Sequence, residues 1–118
     1  MGRKTYESIG HPLSNRTNIV ISKTLKRNDN NIFVCHSLEE ALKISANSPG
    51  KEEIFVIGGG QIFEQAMPIA DKLYLTIVDK EFEADTYFPE YSRVFSREIY
   101  REEGSSEDYT YIFIDLVR

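Results

Sequence analysis

One cysteine, two histidines and no long apolar run set the first limits on this 118-residue chain. The single thiol, Cys35, has no internal partner for a disulfide, which fits a reducing compartment. His11 and His36 stand alone, without metal-ligand spacing or a nearby acid partner, so no metal site is expected. No apolar stretch reaches the length that spans a bilayer. Met1-Gly2-Arg3-Lys4-Thr5 leads into no apolar core of a secretory signal. Together these absences point to the cytoplasm. Repeats, low-complexity tracts and linker-like composition are missing too, so one domain is expected over residues 1–118. No Ser/His/Asp set is present, and Cys35 reads as a small buried hydrophobe rather than a nucleophile.

Hydrophobic residues make up 41% and charged residues 28% of the chain, proportions of a globular protein with one modest core. Its net charge of −5 argues against nucleic acid or an anionic membrane as partner. The distribution says more than the sum. Residues 1–27 hold six basic side chains (Arg3, Lys4, Arg16, Lys23, Lys26, Arg27) against one acid, Glu7. Residues 28–118 hold eight basic and eighteen acidic. A basic start on an acidic body suggests a local site for a small anion, although solubility alone also produces such a pattern.

Four short apolar runs read as strands: 18–22, 32–35, 54–57 and 73–78. Their continuous rather than alternating apolarity is what parallel strands covered on both faces require. Ser37 and Glu40 form a capping box that opens a helix ending near Ser48-Pro49-Gly50. Gly58-Gly59-Gly60 precedes a second short helix, halted around Pro68. Residues 95–102 and 109–117 alternate polar with apolar and flank a polar turn, an antiparallel hairpin. The expected fold is α/β: a mostly parallel sheet flanked by helices, with a C-terminal antiparallel hairpin.

Two segments carry candidate chemistry. Three glycines after an apolar strand remove every Cβ where backbone would meet a ligand. They form neither the dinucleotide fingerprint nor a P-loop, and a tight turn without a ligand has the same sequence. Gly2-Arg3-Lys4-Thr5 places two cations and a hydroxyl where a helix begins, which suits an anion, as a solvated basic start also would. Ser22-Lys23 adds a hydroxyl and a cation at the C-terminal end of a strand, where open α/β sheets bind ligands. Arg16 is suited to gripping a carboxylate, or to lying on the surface.

These pieces resemble the dihydrofolate reductase family. The resemblance is carried by Met1 to Leu13, by Asn15 to Val20 with Asn15 in a glycine's place, and by Val56 to Gln65. Leu73-Tyr74-Leu75-Thr76 and Glu83 to Pro89 continue it in order, so it covers the whole chain. It implies NADPH as cofactor, with Gly2, Arg3, Lys4 and Thr5 holding phosphates and Arg3 and Ser22 near the 2′-phosphate. Ile21 and Lys23 belong to that cofactor surface. So do Ile57, Gly58, Gly59, Gly60, Gln61, Ile62 and Phe63, with a cis peptide expected between Gly58 and Gly59. Ile9, Leu13, Ile57 and Phe63 resemble apolar walls of the folate pocket, and Arg16 the partner of the folate α-carboxylate. Thr76 resembles the threonine that bonds the pterin amino group, and Asp85 a residue that steadies the active-site lid. Gln61 stands where many members have arginine, and His11 where arginine is common.

The resemblance implies reduction of dihydrofolate by NADPH, with antifolates as inhibitors and a monomeric state. Two alternatives are a non-catalytic NADP-binding remnant and the reductase domain of riboflavin synthesis. The chain opens at the family's Met-Gly-Arg segment, so the first strand, mobile loop and catalytic-acid helix are expected to lie outside it. No acid in residues 1–118 resembles the catalytic one. On this reading the chain is truncated, impaired in activity, and marginal in folding unless another chain supplies the missing strand, because unpaired buried backbone groups are costly.

Overall fold

The computed structural model describes residues 1–25 and 31–118, so Lys26 and Arg27 of the basic start lie outside the described residues. The chain divides into two compact units, Met1–Ala66 and Met67–Arg118.

The first unit contains α1 (Arg3–Ile9), β1 (Ile19–Ile21), β2 (Phe33–Cys35), α2 (Leu38–Ala46) and α3 (Gly60–Ala66). β1 and β2 pair in parallel, with Ile19 opposite Phe33 and Ile21 opposite Cys35. The central residue of β1, Val20, is fully buried, as apolar β-branched residues favour. Ser37 is extended, and its hydroxyl accepts the Glu40 N–H at 3.1 Å. The Glu40 carboxylate accepts the His36 N–H at 3.0 Å, completing the expected cap one residue early. Leu38, Ala41 and Ser45, at helical spacing, turn inward along α2. Leu38 meets Ile62 and Ala66 of α3, with Ile21, Leu42 and Val56 packed around them. α1 ends at Gly10, whose φ of 85° is left-handed and whose N–H returns to the Tyr6 carbonyl at 2.9 Å. That conformation is one that favours glycine.

The second unit is a three-stranded antiparallel sheet in the order β3-β5-β4, formed by β3 (Lys72–Val78), β4 (Arg97–Ser105) and β5 (Thr110–Val117). Leu73 faces Leu116 and Leu75 faces Ile114, so one side of the pleat gathers the apolar residues. Leu73, Ile114 and Leu116 close over Phe95, which is 1% exposed. β4 is an edge strand crowded with Arg97, Glu98, Arg101, Glu102 and Glu103 and kinked by a register shift between Glu98 and Tyr100. Both features discourage edge-to-edge association. Across the turn, Tyr111 lies over Gly104, where any Cβ would strike its ring.

Two expectations need correction. Residues 54–57 belong to no assigned strand, and Ile54 and Phe55 are 44% and 57% exposed. Continuous apolarity reports that burial is favourable; a strand also needs a partner ladder, and none is assigned to this segment. Residues 73–78 do form a strand, but an antiparallel one, because the alternating C-terminal hairpin supplies its neighbour. Among the described residues, parallel pairing is confined to β1–β2 and an isolated bridge between Gly2 and Ile21. The α/β class and the C-terminal antiparallel hairpin hold.

Candidate functional site

Two segments far apart in sequence meet in the first unit. The Gly2 N–H donates to the Gly58 carbonyl at 2.7 Å, while Met1 N donates to the Ile19 carbonyl at 3.0 Å and the Ile21 N–H to the Met1 carbonyl at 2.8 Å. Met1-Gly2 therefore links the Gly58 segment to β1. A Cβ on Gly2 would lie 3.7 Å from Gly58 O and Gly59 N. One on Gly59 would lie 3.7 Å from the Thr5 hydroxyl, and one on Gly58 3.1 Å from the Phe63 ring. Gly58 also has a φ of 111°, which L side chains rarely adopt. Glycine is required here by backbone conformation and by crowding together. The Gly58–Gly59 peptide is cis, as expected.

The junction thus gathers Gly2, Thr5, Ile21, Gly58, Gly59 and Phe63, with the Phe63 N–H bonded to Gly59 O at 2.9 Å. Gly60 opens α3, from which Gln61 is exposed. Arg3 and Lys4 follow directly on α1; Lys4 is exposed, and Arg3 Nη1 lies 2.6 Å from the Glu7 carboxylate. Two candidates have structural work instead of, or besides, a ligand-facing place. Ile62 is buried in the core between α2 and α3. Ser22 is 7% exposed, and its Oγ accepts the N–H groups of Thr24 and Leu25 at 3.2 and 2.9 Å, closing a tight turn after β1. Lys23, in that turn, is exposed.

Leu13, Arg16 and Ile57 line one cavity of about 290 Å³ in the first unit, together with Ile19 and the inward stripe of α2. Ile9 and Phe63 do not line it. Arg16 is exposed, and its Nε donates to the Ser14 carbonyl at 3.0 Å. Thr76 lies in the second unit, on β3 opposite Phe113, and is exposed. Asp85 accepts a hydrogen bond from the neighbouring Thr86 hydroxyl in an exposed loop.

Cys35 is 1% exposed, and burial pushes its thiol above the ordinary value, consistent with an inert core residue. Its Sγ–H points to the Ser37 carbonyl at 3.6 Å. Among the described residues no group of three His, Cys, Asp or Glu could hold a metal ion, and no helix is long and apolar enough to cross a membrane.

One residue that motif reading passed over stands out. Asn18, treated as the first position of a strand, is 4% exposed, and its amide reaches back to the preceding loop. An asparagine entering a β-branched run was the available signal, since asparagine is depleted in strands.

A short parallel ladder, flanking helices and a glycine junction beside two cations define a small α/β protein. The chain belongs to the dihydrofolate reductase family: the family model described as dihydrofolate reductase matches residues 1–118. It is 39% identical over 121 residues to a dihydrofolate reductase type 3 from Salmonella typhimurium, covering all of this chain and 73% of that protein. It is 41% identical over 117 residues to the dihydrofolate reductase of Bacillus subtilis (strain 168), covering 97% of this chain and 68% of the relative. With the Haemophilus influenzae dihydrofolate reductase, identity is 48% over 90 residues, 76% of this chain and 54% of that one. The family places the chain among the oxidoreductases of the dihydrofolate reductase class.

Proposed function

We propose that this chain serves the reduction of 7,8-dihydrofolate to 5,6,7,8-tetrahydrofolate, with NADPH as hydride donor to C6 of the pterin. The observation that carries the cofactor part is the Gly2–Gly58 hydrogen bond, which brings the Arg3-Lys4-Thr5 segment and the glycine turn to one place without a Cβ between them. Backbone approach of this kind suits a pyrophosphate. Thr5 would donate a hydroxyl hydrogen bond to it, and Lys4 would supply a mobile charge. Arg3 would meet the 2′-phosphate by exchanging its Glu7 partner for a dianion. Bound there, the cofactor supplies the hydride.

For the substrate, Arg16 would pair with the α-carboxylate, and Leu13 and Ile57 would offer apolar contact. The comparisons favour neither the riboflavin-synthesis reading nor a non-catalytic remnant. A cytoplasmic, monomeric protein of one domain is the setting we infer.

Fluorescence titration tests the cofactor reading. NADPH is expected to bind more tightly than NADH, and Arg3→Ala to erase about tenfold of that preference, the scale of one charge-assisted contact of about 1.4 kcal/mol. Equal affinity for both dinucleotides in the parent chain would sink it. Dihydrofolate-dependent oxidation of NADPH, followed by absorbance, tests the reaction itself.

A further inference from the structure

The loop that carries Arg16 is held by one buried side chain. The Asn18 carbonyl oxygen accepts the Leu13 N–H at 2.8 Å, and its NH₂ group donates to the carbonyls of Leu13 at 2.8 Å and Arg16 at 3.1 Å. Both amide hydrogens are used, and both ends of the loop are gripped. The backbone of Asn18 is fixed in turn, because its own carbonyl accepts the Phe33 N–H at 2.9 Å as the β1–β2 pairing begins. One residue therefore joins a rigid parallel ladder to an exposed turn. That turn holds Asn15 at a φ of 61°, a left-handed conformation that asparagine tolerates but that its surroundings must hold. Directly after it, Arg16 directs its Nε to Ser14 O. No ion pair engages the Arg16 guanidinium among the described residues, and the side chain is exposed at the rim of the cavity that it lines.

We propose that Asn18 is a positioning residue for Arg16, setting the guanidinium for bidentate capture of a substrate carboxylate. This rests on the reading of Arg16 as the partner of that carboxylate. Bidentate recognition demands a fixed plane as well as a charge, and a guanidinium on a loose loop supplies only the charge. Aspartate is the informative replacement. It keeps the size of Asn18 and the acceptor for Leu13 N–H, but turns the two donated bonds into contacts between acceptors, which frees the Arg16 end of the loop.

The test is fluorescence titration of the full chain with folate and with pteroate, the same molecule lacking the glutamate. The parent chain is expected to prefer folate, and Arg16→Gln to remove about tenfold or more of that preference. Asn18→Asp is expected to remove about fivefold while leaving pteroate affinity within about twofold, and to add nothing on top of Arg16→Gln. Loss of both ligands to the same degree, or an unchanged preference, would overturn the proposal. If Asn18→Asp does not fold, Asn18→Ser, whose shorter hydroxyl keeps fewer of these bonds, decides by the same ratio. An Arg16→Gln protein with its preference intact would overturn the reading of Arg16 itself, and this proposal with it. A parent chain that binds neither ligand would remove both.

Discussion

The first unit holds its backbone with three-residue ladders and buried polar side chains, whereas the second does so with strands of seven, nine and eight residues. Every buried polar residue among the described ones, Asn18, Ser22 and Ser45, belongs to the first unit. Each bonds to nearby backbone: Asn18 to the Leu13 loop, Ser22 to the turn after β1, and Ser45 to Leu42 O at 2.9 Å. In the second unit long ladders pair most of the strand backbone, and the interior is apolar around Phe95. Long ladders make a stable sheet but leave little irregular backbone to shape a site. Short ladders leave turns free to be shaped, and each turn then needs its own clamp.

That contrast can be broken most forcefully in the second unit. Phe95→Ala is expected to cost about 3–5 kcal/mol, because it empties the centre of the apolar cluster formed with Leu73, Ile114 and Leu116. Denaturant unfolding followed by circular dichroism measures it, and a cost below about 1 kcal/mol would show that Phe95 is not the keystone of this unit. In the first unit, Gly58→Ala combines a disfavoured φ with a 3.1 Å approach to the Phe63 ring. The expected stability loss is about 1–3 kcal/mol. Dinucleotide affinity should fall by at least about tenfold as well, since the junction must shift. Unaltered NADPH titration of a folded variant would separate the glycine turn from the cofactor.

Cys35 gives the smallest effect and a pH signature. Burial is the main reason its thiol is raised; a backbone hydrogen bond at Ser37 acts in the opposite direction, and Glu40 raises it further. The folded chain therefore holds its proton after the unfolded chain has begun to lose its own. This contribution is complete below the ordinary thiol value of 9.0 and is lost as pH rises from there through the folded value. Thermal midpoints of the parent chain should decline across that alkaline window more steeply than those of Cys35→Ala. Identical slopes would mean that the thiol ionises as freely folded as unfolded.

How much was legible beforehand depended on the range of the forces involved. The capping box at Ser37 and Glu40 reads correctly because its partners are three or four residues apart, within the reach of local sequence. The hairpin of residues 95–117 reads correctly because alternation and a polar turn mark both strands and their antiparallel pairing. Residues 54–57 misled, since apolar content cannot name a partner strand. β3 misled in direction for the same reason. Asn18 went unremarked as a site residue because its partners, Leu13 and Arg16, become neighbours only when the loop closes.

From the order of its residues alone, this chain determined its family and those local elements whose signals are short-range, the cap of α2 and the C-terminal hairpin. Tertiary structure decided that Gly2 and Gly58 share a hydrogen bond, that Ile62 and Ser22 turn inward, and that a buried amide holds the loop beneath Arg16. The reason is physical: propensities and caps act over one or two turns of chain. Close backbone approach and the satisfaction of buried polar groups are settled only between segments that folding brings together.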